Sequence, residues 1–134
     1  MSHAQSMLDT HPQTFDVDAG RLAEVIDALL DCANTCTQCA DACLSEEDPT
    51  GLARCIRLDL DCADICATTA RVVSRQTEHD ANVTRPLLQA CIAACRSCGE
   101  ECGSHAPRMR HCSICSEQCR RCQQLCHDLR AAMG

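Results

Sequence analysis

The chain has 134 residues and a net charge of -7, with 16 Cys, one Phe and neither Trp nor Tyr. Its 12 basic residues are all Arg and are scattered, so no basic face exists for nucleic acid. No apolar run reaches the roughly 18 residues that a membrane-spanning helix needs.

Leu, Ile, Val and Phe together supply only 23 residues, a share at which composition alone suggests disorder. Free Cys behaves as a small hydrophobe and can make up the missing core if it sits at inward positions. The first residues, MSHAQSMLDTHPQTFDVDAG, lack both a basic start and an apolar segment, so they do not read as a secretory signal. A cytoplasmic location follows as the expectation. There thiols are kept reduced, and a Cys-rich chain reads as metal-binding or catalytic before it reads as a disulfide scaffold.

Residues 1–16 are polar and show no apolar period, which predicts a flexible N-terminal tail ahead of a single domain over 17–134. Asp18 is placed as an N-cap, and the seam behind it runs Leu22, Val25, Leu29, Cys32, Cys36, Cys39, Cys43 in alternating steps of three and four. Asp48 and Pro49 read as an N-cap and first helical residue. They precede a second seam of Leu52, Cys55, Asp59, Cys62, Cys66, Thr69 and Val73. A polar connection, Arg75 to Asn82, leads to a third seam, Leu88, Cys91, Cys95, Cys98, Cys102, His105, with Pro86 in its first turn. Gly103 and Pro107 bracket a predicted tight turn before the last seam, Cys112, Cys115, Cys119, Cys122, Cys126, Leu129, Met133.

Four such helices with short connections predict an all-α fold, an antiparallel up-down-up-down four-helix bundle with a Cys-lined core. The pattern C-x3-C-x2-C-x3-C in DCANTCTQCADAC recurs in ACIAACRSCGEEC, so the first helix pair reads as a degenerate copy of the second. In that topology Cys43, Cys55, Cys102 and Cys112 lie nearest one end, and Cys32, Cys66, Cys91 and Cys126 form the deepest layer. At a rise of ~1.5 Å per residue the thiol column is roughly 20 Å long. Leu22, Val25, Leu29, Val73, Leu88, Leu129 and Met133 form an apolar plug at the far end, leaving the mouth beside His105, Met109 and His111.

Pure packing is a poor account of so many thiols, because Ala, Val and Leu fill a core without the risk of oxidation. Disulfides within a helix are disfavoured by geometry: neighbours one turn apart have Cβ atoms ~5–6 Å apart, against ~3.8 Å in an unstrained bridge. Metal remains. Zinc wants closed tetrahedral sets, commonly on loops that splay the ligands, and a ferredoxin-type cluster run has a different spacing that ends in Pro. Cu(I) is soft and prefers thiolate, and with two or three ligands per ion adjacent thiolates can bridge a chain of ions. Buried thiolates without counter-ions would be prohibitive, so the metal-free core should hold neutral thiols that exchange one proton for each Cu(I). Capacity is then on the order of one ion per Cys. An iron-sulfur redox protein and a zinc buffer of metallothionein type stand as the alternatives.

Three further side chains are candidates. Asp59 lies on the second seam and reads either as a carboxylate paired with Arg at the bundle edge or as an extra metal or histidine partner near the mouth. His105 extends the third seam and His111 lies four residues before Cys115, so both can face the mouth as ligands. Met109 is read as equally consistent with packing. His79 and His127 fall at the closed end and are not assigned.

The repeated C-x3-C-x2-C-x3-C, the four Cys-lined stripes and the mouth histidines resemble the bacterial cytosolic copper storage proteins, over essentially residues 18–132. The resemblance implies a non-enzymatic store that binds many Cu(I) ions per chain and protects against copper toxicity. It also implies a homotetramer, with a copper chaperone as a candidate partner. Its ligand set would be Cys32, Cys36, Cys39, Cys43, Cys55, Cys62, Cys66, Cys91, Cys95, Cys98, Cys102, Cys112, Cys115, Cys119, Cys122 and Cys126, supplemented by Asp59, His105 and His111. Asp59 and Thr69 depart from the Cys pattern of the second helix. Outward apolar residues such as Ile56, Leu60 and Ile92 would serve either assembly or lateral packing.

Overall fold

A computed structural model describes residues 2–13 and 16–133. The expectations that fall on residues 1, 14, 15 and 134 lie outside the described residues. These are all-helical, with no strand: α1 (Ala4–Asp9), α2 (Ala19–Leu44), α3 (Ala53–Ser74), α4 (Ala81–His105) and α5 (Arg110–Ala132), plus a 3-10 turn over Pro49–Leu52. Each of the four long helices packs on two others, α2 on α3 and α5, and α4 on α3 and α5, closing a bundle around one interior.

The helix starts follow local chemistry. The Asp18 side chain accepts from the Arg21 N–H at 3.0 Å, and that of Asp80 accepts from the Asn82 N–H at 2.9 Å. Each bond satisfies an amide that the first helical turn leaves orphaned. Two starts and one end differ from the sequence reading. Pro49 opens the 3-10 turn, Asp48 makes no side-chain cap there, and the α-helix begins only at Ala53. The tighter turn fits the chain reversal between the end of α2 and α3. Pro86 stands in the second turn of α4, where both it and Asn82, whose carbonyl loses its ladder partner, are exposed to water. Gly103 lies inside α4, which continues to His105.

That placement of Gly103 has a packing reason. A Cβ there would stand 3.3 Å from both Arg120 Nη2 and Ser116 Oγ, and one at Gly99 would stand 3.3 Å from Cys119 Cβ. The two glycines, one turn apart, bring α4 and α5 close, and the buried Ser116 hydroxyl donates to the Gly99 carbonyl at 2.9 Å. Across the opposite seam Gln118 Nε2 donates to the Ala28 carbonyl at 3.1 Å, tying α5 to α2.

Residues 1–16, expected to carry no element, contain α1, which packs on α2. Leu8 joins the core cluster that includes Ile26, and the Ser2 hydroxyl donates to Asp27. One buried leucine on six residues leaves no periodic signal in the sequence. Of the residues expected to face outward, Ile92 is buried, Ile56 is half-buried against the core and Leu60 is exposed, so the first two serve lateral packing.

Gly99→Val adds a β-branch where even a methyl is crowded by the backbone-proximal Cβ of Cys119. We expect the reduced metal-free protein to lose about 1–3 kcal/mol of stability, read from its urea unfolding midpoint at unchanged slope.

Candidate metal centre

Every one of the 16 cysteines is a free thiol and buried, and Cys39, at 2% exposure, is the least so. The 3.6-residue period of the helices turns all of them to the inside, where their sulfurs form a ladder of non-bonded contacts. Between α3 and α4 the contacts are Cys55 with Cys102 at 3.6 Å, Cys62 with Cys95 at 3.9 Å and Cys66 with Cys91 at 3.7 Å. Between α2 and α5 they are Cys39 with Cys112 at 3.9 Å, Cys36 with Cys115 at 3.7 Å, and Cys36 with Cys119 at 3.6 Å. Cys36 also reaches across to Cys98 at 3.9 Å, and Cys126 touches Cys91 at 3.9 Å in the deepest layer. Beyond that layer Leu22, Val25, Leu29, Val73, Leu88 and Leu129 are buried, with Met133 packed against them, as the expected apolar plug requires.

The donor atoms gather into sets in which all lie within 4.8 Å of one another: Cys32, Cys66, Cys95 and Cys122; Cys32, Cys36, Cys62 and Cys119; Cys36, Cys98, Cys115 and Cys119. Nearer the mouth come Cys39, Asp59, Cys102 and Cys115, and then Cys39, Cys43, His111 and Cys112. The sets overlap. Cys32, Cys36, Cys39, Cys115 and Cys119 each belong to two of them, so separate tetrahedral ions cannot fill them all without sharing. Shared thiolates bridge metals, which suits a soft ion of low coordination number and does not suit a string of isolated zinc sites.

The electrostatics of this interior favour neutral groups. Burial pushes the Cys112 thiol up to about 11, and it raises Cys43 further. Deeper in, mutual hydrogen bonds divide the thiols. Cys36 is raised, first by Cys115 and Cys119, while Cys32 is lowered, first by Cys119 and Cys122. A sulfur that receives S–H bonds is the readier one to give up its proton.

Asp59 is fully buried, and no Arg pairs with it. Its Oδ1 accepts from the thiols of Cys98 at 3.1 Å, Cys115 at 3.2 Å and Cys102 at 3.3 Å. Burial, with the neighbouring sulfurs adding to it, raises this carboxyl to about 10, so it is protonated at neutral pH. Oδ2 has no hydrogen-bond partner. An orphaned buried oxygen among thiols is a costly arrangement for a metal-free core and a suitable one for an extra hard-soft mixed ligand. Thr69, the other non-thiol on the α3 seam, is buried with its hydroxyl on the Ile65 carbonyl at 2.7 Å, so it is spent on its own helix.

The two mouth histidines differ. His111 turns Nδ1 inward, 3.4 Å from Cys39 Sγ and 3.6 Å from Cys112 Sγ, and holds Glu46 Oε1 at 3.1 Å through Nε2. His105 turns Nε2 to Glu101 at 2.9 Å and Nδ1 to Arg108 at 3.4 Å, and Arg54 backs the same glutamate at 3.3 Å. Cys55 is drawn below the ordinary thiol range by Cys102 and Cys39, with His105 contributing less. Met109 stands at the N-cap position of α5, makes no side-chain bond there and packs against the core. Glu46 and Glu101 were missed by sequence reasoning. The four-residue step from Glu101 to His105 on one helix was a usable signal, whereas Glu46 sits in a loop and meets His111 only through the fold.

A carboxyl whose pKa is about 10 when folded and 3.8 when unfolded must take up a proton on folding across that interval, so its contribution to stability falls as pH rises through it. Asp59→Asn removes this dependence. The variant's stability relative to the reduced metal-free parent should therefore grow between pH 5 and pH 8, measured by urea unfolding at both; a constant difference would contradict the protonated state.

The sequence profile of the copper storage protein family (Csp) matches residues 18–131. A cysteine-rich protein of Bacillus subtilis, YhjQ, is 35% identical over 106 residues, spanning 79% of this chain and 93% of that protein. The structure of the copper storage protein Ccsp from Streptomyces lividans, loaded with 10 copper equivalents, superposes with a TM-score of 0.94 at 49% identity, over 96% of this chain and 98% of that one. A five-copper structure described as a cytosolic copper storage protein of the same organism gives a TM-score of 0.84 at 52% identity, over 86% of this chain and 96% of that one. With a thiol-lined interior, overlapping donor sets and a family profile that spans the four long helices to within one residue of the end of α5, this chain belongs to the copper storage protein family.

Proposed function

We propose that the chain stores Cu(I) inside an antiparallel up-down-up-down four-helix bundle, sequestering many ions behind a mouth formed by the α2–α3 and α4–α5 connections. The opposed order of contacts supports the topology: Cys55, Cys62 and Cys66 ascend α3 while their partners Cys102, Cys95 and Cys91 descend α4. Residues 17–134 form the storage unit, in keeping with the family match over 18–131. All the cysteines serve as ligands, Asp59 supplies an oxygen one layer in from the mouth, and His111 supplies a nitrogen at the mouth. His105 joins by rotating away from Glu101.

The observation that carries this reading is the overlap of the donor sets, because it couples capacity to bridging. An ion captured between Cys39, Cys112 and His111 has a neighbouring set sharing Cys39, and that set shares Cys115 with the next. Loading proceeds inward by ligand exchange along thiols 3.6–4.0 Å apart. Each Cu(I) displaces one proton from a thiol, so the net charge of the interior stays constant and the bundle fills without repacking. Zinc keeps the charge constant only by displacing two protons per ion and asks for a closed set of four donors, and an iron-sulfur cluster would consume four thiols for a discrete unit.

The setting we infer is the cytosol, with the relative from Streptomyces lividans described as cytosolic. Assembly as a homotetramer has apolar surface available in the exposed Leu44, Leu60 and Ile114, and a copper chaperone is the candidate donor. No catalytic step is assigned.

Anaerobic titration of the reduced protein with Cu(I) against a competing chelator should saturate on the order of one ion per Cys, as bridging requires. Saturation at one or two ions per chain would reject storage. Because a proton leaves for each ion bound, apparent affinity should weaken roughly tenfold per pH unit as the solution is acidified. Competition at pH 6 and pH 7.5 checks this, and a pH-independent affinity would mean that ions bind without displacing thiol protons.

A further inference from the structure

We propose that Glu46 is a positioning residue for copper capture: its carboxylate holds His111 so that the ring presents Nδ1 to Cys39 and Cys112. This rests on the storage reading and concerns how the first ion is taken.

Glu46 follows α2 in the turn where its own N–H bonds to the Cys43 carbonyl at 3.2 Å, so the backbone that carries the Cys43 thiol also carries this carboxylate. From there Oε1 reaches His111 Nε2 at 3.1 Å, at the start of α5. A carboxylate only accepts hydrogen bonds, so Nε2 carries the ring proton and the lone pair of the neutral imidazole lies on Nδ1. Nδ1 is the nitrogen that faces sulfur, 3.4 Å from Cys39 and 3.6 Å from Cys112. One bond thus selects both the tautomer and the rotamer that a soft ion needs, as carboxylates behind metal-binding histidines do elsewhere.

His105 shows the contrasting arrangement at the same mouth. Its carboxylate partner, Glu101, lies on its own helix and is shared with Arg54, and its other nitrogen meets Arg108, so neither ring nitrogen is bonded to a thiol. The difference singles out His111, whose side chain keeps 26% exposure and so reaches both solvent and the first thiols. Without Glu46 the half-exposed ring is free to turn, and its lone pair is distributed between inward and outward nitrogens.

The test is anaerobic stopped-flow mixing of the reduced full chain with one equivalent of Cu(I), on the parent, Glu46→Ala, Glu46→Gln, His111→Ala and the double variant Glu46→Ala/His111→Ala. We expect Glu46→Ala to slow first-ion capture at least about tenfold, with total capacity and thermal midpoint unchanged. Glu46→Gln, whose amide oxygen accepts the same N–H, should recover most of the rate, and the double variant should be no slower than His111→Ala. Nitrogen-15 NMR of the His111 ring should show the Nε2–H tautomer in the parent and in Glu46→Gln, and a mixture in Glu46→Ala. Parental capture by Glu46→Ala overturns the proposal. So does a Glu46→Gln as slow as Glu46→Ala, or an effect of Glu46 that persists without His111, since either would mean that charge alone is at work. If the parent itself saturates at one or two ions, the storage reading fails, and the tautomer comparison still decides whether Glu46 sets the ring.

Discussion

Sixteen thiols held out of water impose one rule on everything else in this protein: the interior has to stay uncharged, full or empty. A buried thiolate without a counter-ion is costly, and burial pushes Cys112 to about 11, while hydrogen bonds from neighbouring thiols draw Cys32 and Cys55 the other way. The same rule keeps a proton on Asp59, which sits among three sulfurs with no cation beside it. A monovalent soft cation is the exchange partner that respects the rule, because it takes the place of a proton and leaves the sum of charges as it was. A divalent ion respects it only by displacing two protons at once.

The rule also explains why the core can be poor in large side chains and still be a core. Leu29, Leu88 and Leu129 close one end as fully or almost fully buried leucines, and the length of the column is filled by small, polarisable sulfur. Small side chains let helices approach, and at Gly99 and Gly103 the approach of α5 to α4 uses the absence of a Cβ. Close helices in turn bring sulfurs on different helices to within about 4 Å of one another.

Polarity is distributed along the axis with a direction. Beyond the deepest layer come buried leucines and valines with Thr69, Asp59 sits among Cys98, Cys102 and Cys115, and the other end holds two imidazoles backed by carboxylates. With the ligand set we propose, that order runs from nitrogen and mixed donors outside to sulfur inside, which favours inward movement of a thiophilic ion. The mouth histidines are not equivalent, since His111 addresses the thiols while His105 is engaged with Glu101 and Arg108.

Much of this was legible in residue order, because a 3.6-residue period fixes which side chains share a helix face whatever the helix packs against. The inward set of cysteines, the Asp18 cap and the apolar plug all follow from spacing, and all of them stand. What spacing could not supply was anything decided between elements. The docking of α1 turns on the single Leu8, the place of Gly103 inside α4 depends on how near α5 comes, and the Pro49 turn answers to the chain reversal it must make. Which thiols belong to two donor sets, why Asp59 meets sulfur and not Arg, and how Glu46 reaches across 65 residues to His111 depend on the axial offsets of packed helices, and those offsets are set only when side chains of different helices compete for the same space.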